Sequence, residues 1–408
     1  MPVNLSAPTS SSLLAIDGIE LGIASAGIKT IGKADLVLIK IAQGSSVSAV
    51  YTKNVFCAAP VTLAKQHQQQ TSPQFLLINS GNANAGTGEV GMQSAQSCCN
   101  AVAELTHVDA NTVLPFSTGV IGQQLPVDKI VHALPQACQN LNSDNWFDAA
   151  HAIMTTDTIA KAVSRQIEID GKTITVTGMA KGSGMIRPDM ATMLSYIATD
   201  AAVEQTVLDE LLQRATDQSF NRITVDGDTS TNDACVLMAT AKAENKKITD
   251  INADSAQKLY HLIAEISQQL AHAIVRDGEG ATKFIAIDIV QGLDSQECRQ
   301  VAYTIAHSPL VKTALFASDP NWGRILAAVG RSGVTDFDLS KVAIYLDDVC
   351  IVDKGEPAAT YTEQQGQKVM DQDEITIKVE LGRGSANDTV WTCDFSYDYV
   401  KINAEYRT

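Results

Sequence analysis

The sequence lacks most of the patterns that mark metal sites, disulfide frameworks and membrane spans. Its eight cysteines form no Cys-x-x-Cys pair, and its seven histidines form neither His-x-His nor His-Glu-x-x-His. We therefore expect reduced cysteines and no zinc or other metal site. No run of about 18 apolar residues occurs, which predicts no transmembrane helix. The first residues have no basic segment before an apolar run, so we expect no secretory signal and a cytoplasmic location.

Basic residues are also scarce. The chain has 30 Lys and Arg against 46 Asp and Glu, which gives a formal net charge of −16. Such an excess of acid opposes binding to nucleic acid or to an anionic membrane surface. With 408 residues, 45% of them hydrophobic, the chain can bury a large core. Its length predicts two or three domains, or two intimate halves.

Apolar periodicity predicts strands and helices in a mixed order rather than a regular alternation. This order favours an α/β protein with layered, mixed sheets. A hairpin is predicted over 165–178 with its turn at 170–171, and the tail from 341 to 399 is rich in strand patterns. The other predicted strands are 35–42, 45–53, 74–80, 112–118, 234–243 and 283–290, and the predicted helices are 91–105, 127–141, 146–154, 203–219, 253–275, 296–316 and 323–329.

The segment 179–200 carries the most chemical information. A glycine-rich stretch with the cation Lys181 leads into an apolar run that begins at Thr192. A threonine hydroxyl can attack the carbonyl of the preceding residue, here Ala191, and hydrolysis of the ester then frees the threonine amine. That amine, with a pKa of about 7.7–8.0, is a general base for the adjacent hydroxyl. The alternative reading is that Thr192 is an ordinary β-branched strand residue.

Three further loops combine polar side chains with glycine. In 115–122, the hydroxyl of Thr118 is followed by Gly119, whose amide can approach an oxyanion closely, although a simple turn is the alternative. The Asn-rich segment 79–86 follows a strand, and its composition predicts a tight loop with an active-site or a structural role. The loop 276–283 closes a long helix with four ionisable residues around its two glycines, and helix capping explains the glycines but not these charges. Asp226, Asp228, Asn232 and Asp233 could bind a hard cation, but their spacing favours turn and hydrogen-bonding roles.

Taken together, these segments closely resemble the bifunctional ornithine acetyltransferase family of arginine biosynthesis, also called the glutamate N-acetyltransferase family. The resemblance covers essentially the whole chain, with long motifs in the family's order. The matching motifs are SGNANAGTG at 80–88, STGVIG at 117–122, TTDT at 155–158, KGSGMIRPDMATML at 181–194, DGEGATK at 277–283, SDPNWGRI at 318–325 and INAEYRT at 402–408.

The resemblance implies a fold and a processing event. The family fold is a layered α-β-β-α arrangement, similar to the N-terminal-nucleophile hydrolases but different in topology. The family also implies that the chain cuts itself between Ala191 and Thr192. The products would be an alpha chain of residues 1–191 and a beta chain of residues 192–408, assembled as a heterotetramer with two copies of each.

The resemblance also implies roles for individual residues. Thr192 would be the nucleophile, and the Thr118 hydroxyl with the Gly119 amide would form the oxyanion hole. Substrate binding would fall to Thr155, Lys181, Thr192, Glu279, Asn403 and Thr408. An amino-acid substrate needs a cation for its carboxylate and an anion for its amine. We assign the first task to Lys181 and the second to Glu279 on that chemistry.

The implied activity is transfer of an acetyl group from N-acetylornithine to glutamate through an acetyl-threonine intermediate. No metal or redox cofactor is required, and some family members also accept acetyl-CoA as the acetyl donor. Two other functions remain open at this point. One is a self-processing amidohydrolase or aminopeptidase with the same amino-terminal threonine, in which water accepts the acyl group. The other is a non-catalytic ligand-binding protein, for which an uncut chain would be the sign.

Overall fold

The computed structural model describes residues 2–187 and 193–405. These residues form two compact units. The larger unit comprises Ser6–Asn221 and Asp228–Ile274 in its described part, and the smaller unit comprises 2–5, 222–227 and 275–405. Residues 187 and 193 both belong to the larger unit, so the predicted cleavage junction does not coincide with the division between the units.

The larger unit contains two sheets with helices. One sheet has the strand order β1-β2-β4-β5 and the other β3-β9-β8-β7-β6. The strands are β1 (Ile19–Ala24), β2 (Leu36–Ile41), β3 (Ser46–Tyr51), β4 (Phe75–Asn82), β5 (Val113–Val120), β6 (Lys161–Ile169), β7 (Lys172–Lys181), β8 (Leu194–Thr199) and β9 (Ala234–Ala239). The helices are α1 (Ala59–Gln70), α2 (Gly88–Thr106), α3 (Val127–Gln139), α4 (Trp146–Ala152), α5 (Gln205–Gln218) and α6 (Asp254–Arg276).

The two sheets pack face to face and helices cover their outer faces. Phe116 of β5 meets Tyr196 of β8 between the sheets, with ring centroids 5.4 Å apart. Strand β2 reads LVLIKI and is buried on both faces, as a continuous apolar run requires. Its Leu38 packs with α2 and α3 on the outer face, while α5 packs on the far side of the other sheet. The predicted α-β-β-α layering is therefore confirmed in this unit.

The predicted hairpin is also confirmed, with longer strands than the sequence indicated. Strands β6 and β7 pair in antiparallel register from Lys161 with Ala180 to Ile169 with Lys172. The turn places Asp170 and Gly171 at positive φ, as the sequence pattern predicts for a tight hairpin. Because β7 then pairs with β8, and β8 with β9, the hairpin brings Lys181 to the same sheet end as the start of β8.

The smaller unit is built on one sheet with the order β13-β12-β11-β14-β10-β15. Apolar residues of β10, β11 and β14 pack with helices α7 and α9 to form its core. The strands are β10 (Phe284–Gly292), β11 (Ala343–Leu346), β12 (Val349–Asp353), β13 (Glu356–Pro357), β14 (Glu374–Glu380) and β15 (Ala386–Cys393), and the helices are α7 (Ser295–Ala306), α8 (Pro309–Phe316), α9 (Trp322–Gly330), α10 (Glu363–Met370) and α11 (Tyr397–Ala404).

One predicted helix of this unit is wrong as a single element. The stretch 296–316 is two helices, because Ser308 and Pro309 interrupt it. Proline lacks the N–H that a continuing helix needs, and it suits the first turn of a new one. The Ser308 hydroxyl caps α8 by accepting a hydrogen bond from Val311 N. Every helix in the described part of the chain is too short or too polar to cross a membrane.

Candidate active site

The predicted site residues fall into two groups, one in each unit. Thr118, Gly119, Thr155 and Lys181 belong to the larger unit, whereas Glu279 and Asn403 belong to the smaller unit. Ala191, Thr192 and Thr408 lie outside the described residues. Each group is therefore described by itself.

Thr118 and Gly119 lie near the end of β5, which is the edge strand of its sheet and pairs with β4 in parallel. Gly119 has a φ of +135°, and a Cβ placed there would lie 2.3 Å from the carbonyl carbon of Gly81. A side chain is thus excluded at position 119. The Thr118 hydroxyl forms no hydrogen bond to any of residues 2–187 and 193–405, so it is available to a ligand.

Asparagine side chains hold this strand end in place. Asn232 Nδ2 donates to the carbonyl oxygens of Ala83, at 2.6 Å, and Ser117, at 2.9 Å. Ser117 Oγ in turn donates to Asn79 Oδ1 at 2.6 Å. These buried bonds connect the Asn-rich loop, the start of β9 and the residue before Thr118. A backbone fixed in this way keeps its donors oriented before a substrate binds, as an oxyanion hole requires.

Asp157 organises the second part of this group. Its carboxylate accepts hydrogen bonds from Thr155 N at 3.0 Å and from Gly182 N at 2.7 Å. It also pairs with Lys161 Nζ at 2.7 Å, and both side chains of that ion pair are fully buried. We call these residues, with Lys181, the Asp157 cluster. Thr155 and the backbone that carries Lys181 are thus positioned by one carboxylate.

The charge of Asp157 is stabilised by its neighbours. Burial by itself raises the pKa of a carboxyl group. The ammonium groups of Lys161 and Lys181, together with the donated hydrogen bonds, outweigh that effect and hold the pKa of Asp157 well below its usual value. The cluster therefore keeps its carboxylate ionised at neutral pH, and it keeps Lys181 near a compensating negative charge.

Asp157 is a residue that the sequence reasoning missed, although it stands inside the TTDT motif. One signal was available, because Asp157 is the only acidic residue between Asp148 and Glu168. A lone acid in an otherwise apolar and hydroxyl-rich stretch indicates a buried, paired carboxylate. Its partners could not be read from the sequence, since Gly182 is 25 residues away.

In the smaller unit the structure brings Glu279 and Asn403 together. Glu279 is buried, and its carboxylate accepts a hydrogen bond of 2.8 Å from Asn403 Nδ2 on α11. The residues 277–283, which we call the Glu279 loop, follow α6 directly. Asp394 fixes this loop by accepting hydrogen bonds from the backbone N–H groups of Thr282 and Lys283. A buried acid on a fixed loop is suited to bind a substrate amine.

The position next to Glu279, Gly280, has no room for a side chain. Its φ is +69°, and a Cβ there would lie 2.5 Å from the backbone nitrogen of Tyr399. Its carbonyl oxygen accepts a 2.6 Å hydrogen bond from Ser396 Oγ. The glycine is therefore needed for close approach to the start of α11 and not for helix capping alone. In the described part of the chain, no group of three or more acidic, His or Cys side chains is arranged to hold a metal ion.

Comparison with known proteins identifies a family and several relatives. A model of the ArgJ family matches residues 20–408. Proteins named "Arginine biosynthesis bifunctional protein ArgJ" from Pseudomonas syringae pv. tomato and Pseudomonas fluorescens are each 58% identical over 393 residues, which is 96% of this chain and 97% of theirs.

Two solved structures are also similar in sequence. Arginine biosynthesis bifunctional protein ArgJ from Bacillus halodurans is 38% identical, with a TM-score of 0.48, and the match covers 50% of this chain and 95% of that one. Ornithine acetyltransferase from Mycobacterium tuberculosis, solved in complex with ornithine, is 32% identical, with a TM-score of 0.39. That match covers 46% of this chain and 99% of the other.

Proposed function

Because the chain belongs to the ArgJ family, we propose that it is an acetyltransferase of arginine biosynthesis. It transfers the acetyl group of N-acetylornithine to glutamate, which yields ornithine and N-acetylglutamate. The observation that carries this proposal is the 58% identity to two bifunctional ArgJ proteins across 96% of the chain. The family model extends over nearly the same span, from 20 to 408.

The nucleophile in this proposal is Thr192, freed when the chain cuts itself after Ala191. Its hydroxyl attacks the Ala191 carbonyl, the amide becomes an ester, and water hydrolyses the ester. The sheet supports this step. Strand β8 starts two residues after Thr192 and is paired on both sides, by β7 and β9. The two fragments would therefore remain joined through strand pairing after the cut.

Acetyl transfer then proceeds in two half-reactions. Thr192 Oγ attacks the acetyl carbonyl of N-acetylornithine while the Thr192 amine takes the hydroxyl proton. The Thr118 hydroxyl and the Gly119 amide stabilise the tetrahedral oxyanion, and ornithine leaves. The amine of glutamate next attacks the acetyl-threonine ester, and N-acetylglutamate leaves. The available Thr118 hydroxyl and the fixed end of β5 support this assignment.

Substrate recognition is divided between a cation and an anion. Lys181 binds the α-carboxylate of either substrate, with Thr155 beside it, and Glu279 binds the amine. Asn403 orients Glu279 through the hydrogen bond between their side chains, and Thr408 completes the site. The Asp157 cluster supports the role of Lys181, because it fixes the backbone that carries this lysine.

The wider setting is proposed on the same basis. The alpha and beta chains form a heterotetramer with two copies of each, and acetyl-CoA is a second acetyl donor. The enzyme works in the cytoplasm, where its amino-acid substrates are present. A self-processing amidohydrolase remains the alternative function, since it would use the same nucleophile with water as the acceptor.

A product assay separates the two functions. Purified protein is given N-acetylornithine with and without glutamate, and ornithine, N-acetylglutamate and acetate are measured. The transferase produces N-acetylglutamate, and it releases ornithine slowly until glutamate is added. If ornithine appears equally fast with and without glutamate, and free acetate accumulates, water is the acceptor and the chain is an amidohydrolase.

A further inference from the structure

Lys312 of α8 is a buried basic residue that the mechanism above does not use. It is 1% exposed, and no carboxylate among residues 2–187 and 193–405 lies within ion-pair distance of its Nζ atom. An ammonium group loses its hydration on burial, and this loss is costly when no counter-charge replaces it. A methionine of similar length would avoid that cost. The contacts of the Lys312 amine therefore call for a functional explanation.

These contacts all lie at the end of β15 and in the turn that follows it. Lys312 Nζ donates hydrogen bonds to Thr392 Oγ1, at 3.0 Å, and to the carbonyl oxygen of Cys393. It also lies 4.6 Å from the ring centroid of Phe395, which is a cation–π contact. The backbone adds a third link, because the Lys312 carbonyl oxygen accepts a hydrogen bond of 3.3 Å from Phe395 N. Lys312 thus holds the segment 392–396.

The segment 392–396 is connected to the Glu279 loop. Asp394 accepts two hydrogen bonds from Thr282, one from its N–H at 2.8 Å and one from its hydroxyl at 2.5 Å. Ser396 Oγ donates to the carbonyl oxygen of Gly280 at 2.6 Å. Gly280 directly follows the carboxylate that we propose binds the substrate amine. The segment therefore fixes the backbone beside this carboxylate.

The same segment is connected to the helix that carries Asn403. The ring of Phe395 stacks on Tyr399 of α11, with centroids 4.6 Å apart and planes 14° apart. Asn403 Nδ2 donates to the Tyr399 carbonyl oxygen at 3.0 Å as well as to Glu279. Since α11 buries none of its residues, the aromatic stack contributes to holding this helix in place. Both partners of the pair formed by Glu279 and Asn403 thus depend on residues that Lys312 holds.

We propose that Lys312 is a positioning residue, which sets the place of Glu279 and Asn403 through the segment 392–396. The proposal rests on the proposed role of Glu279 in binding the substrate amine. Lys312 is buried and acts through other residues, so it controls the affinity for substrate and not the rate of the chemical steps.

Steady-state kinetics on equally cut protein test this proposal, with kcat and the KM for N-acetylornithine measured separately. Lys312→Met keeps the length and the apolar stem of the side chain but removes its donors. We expect KM to rise about 10-fold with kcat within about 2-fold of the wild type. The reason is that Thr118 and Gly119, the proposed oxyanion hole, belong to the larger unit.

A double-mutant cycle shows whether Lys312 acts through Glu279. Glu279→Gln keeps the shape and the acceptor oxygen but removes the charge, and we expect it to raise KM by about 10- to 100-fold. Once that charge is absent, the exact place of the side chain matters little. Adding Lys312→Met to Glu279→Gln should therefore raise KM by less than about 2-fold more.

Ile344→Ala is the matched control for a general loss of stability. Ile344 of β11 is fully buried in the core of the same unit, and two strands separate β11 from β15. The cavity left by this substitution destabilises the unit but leaves the segment 392–396 unchanged. Melting temperatures establish that the control is destabilised at least as much as Lys312→Met, and its KM should stay at the wild-type value.

Three results would overturn the role of Lys312. One is a wild-type KM in Lys312→Met while Glu279→Gln raises KM, which would leave the role of Glu279 intact. Another is a double variant in which the two effects multiply, since Lys312 would then act independently of Glu279. The third is an equal rise of KM in Ile344→Ala, because loss of stability alone would explain it. An unchanged KM in Glu279→Gln would instead refute the proposed amine-binding site itself.

A second variant decides the question if Lys312→Met fails to fold. Phe395→Leu keeps an apolar side chain but removes both the ring beside Lys312 and the stack on Tyr399. We expect it to raise KM by about 3-fold, as the loss of one aromatic pair implies, and to add little to Glu279→Gln. An unchanged KM in Phe395→Leu would overturn the proposal.

Discussion

The two groups of site residues are held in different ways. In the larger unit, Thr155 and the backbone of Lys181 depend on Asp157, whose ion pair with Lys161 is fully buried. In the smaller unit, Asn403 reaches Glu279 from α11, a helix that buries none of its residues. Any change in the first arrangement would expose a buried ion pair, whereas Asn403 lies on an exposed helix surface and can move more easily. We therefore expect the rate of the chemistry to depend on the first group and substrate affinity on Asn403.

Replacing the nucleophile should have the largest effect. Thr192→Ala removes the hydroxyl that we propose starts the cleavage, so we expect a single intact chain without acetyl transfer. Electrophoresis and the product assay measure the two effects together. Normal cutting in this variant would show that another group attacks the Ala191 carbonyl.

The second-largest effect is expected at the proposed oxyanion hole. Thr118→Ala removes one preorganised donor, and such losses reduce kcat by about 100- to 1000-fold. KM should change much less, because the Thr118 hydroxyl acts mainly in the transition state. Steady-state kinetics on fully cut Thr118→Ala check this, and a kcat near the wild-type value would remove Thr118 from the mechanism.

Breaking the Asp157 cluster should lower the free energy of unfolding. Asp157→Asn leaves the buried ammonium of Lys161 without its counter-charge, and breaking such a pair costs about 3–5 kcal/mol. The matched control is Glu20→Gln, which breaks the exposed ion pair between Lys40 and Glu20 and should cost about 0–1 kcal/mol. Chemical denaturation of both variants gives the free energies of unfolding. Equal losses would show that the Asp157 cluster is held no more tightly than an exposed ion pair.

The smallest effect is expected in the smaller unit. Asn403→Ala removes one hydrogen bond to Glu279, worth about 0.5–1.5 kcal/mol, so KM should rise by about 2- to 10-fold with kcat nearly unchanged. Asn100→Ala is the control, because it removes a hydrogen bond that Asn100 accepts from Gln96 within α2, a helix that carries none of the predicted site residues. A large fall in kcat for Asn403→Ala would place Asn403 in the chemistry and not in recognition alone.

The sequence predicted much of this architecture because its signals are local. The turn at Asp170 and Gly171 and the apolar runs of β2 and β8 can be read from neighbouring residues alone. The break at Pro309 could also have been predicted, since Ser308 and Pro309 form a standard helix start. The apolar content of 296–316 instead favoured the prediction of a single helix.

The sequence could not reveal what depends on strand register. Asp157 meets Gly182 only because β6 and β7 pair so that Lys161 lies opposite Ala180, and Lys181 reaches the start of β8 only because β7 and β8 pair. Such contacts join residues far apart in the chain, and no local pattern encodes them. The residues alone indicated possible oxyanion donors at Thr118 and Gly119, with a simple turn as the alternative, whereas the proposed role of Glu279 came from the family resemblance.

We propose that Thr192 is both the new amino terminus and the acetyl carrier. The most direct test is intact-mass spectrometry of the purified protein before and after brief exposure to N-acetylornithine, followed by acid quenching. We expect two fragments, one ending at Ala191 and one beginning at Thr192, with one acetyl group added to the second and removed again by glutamate. An uncut chain that is fully active, or an acetyl group found on the first fragment, would contradict it.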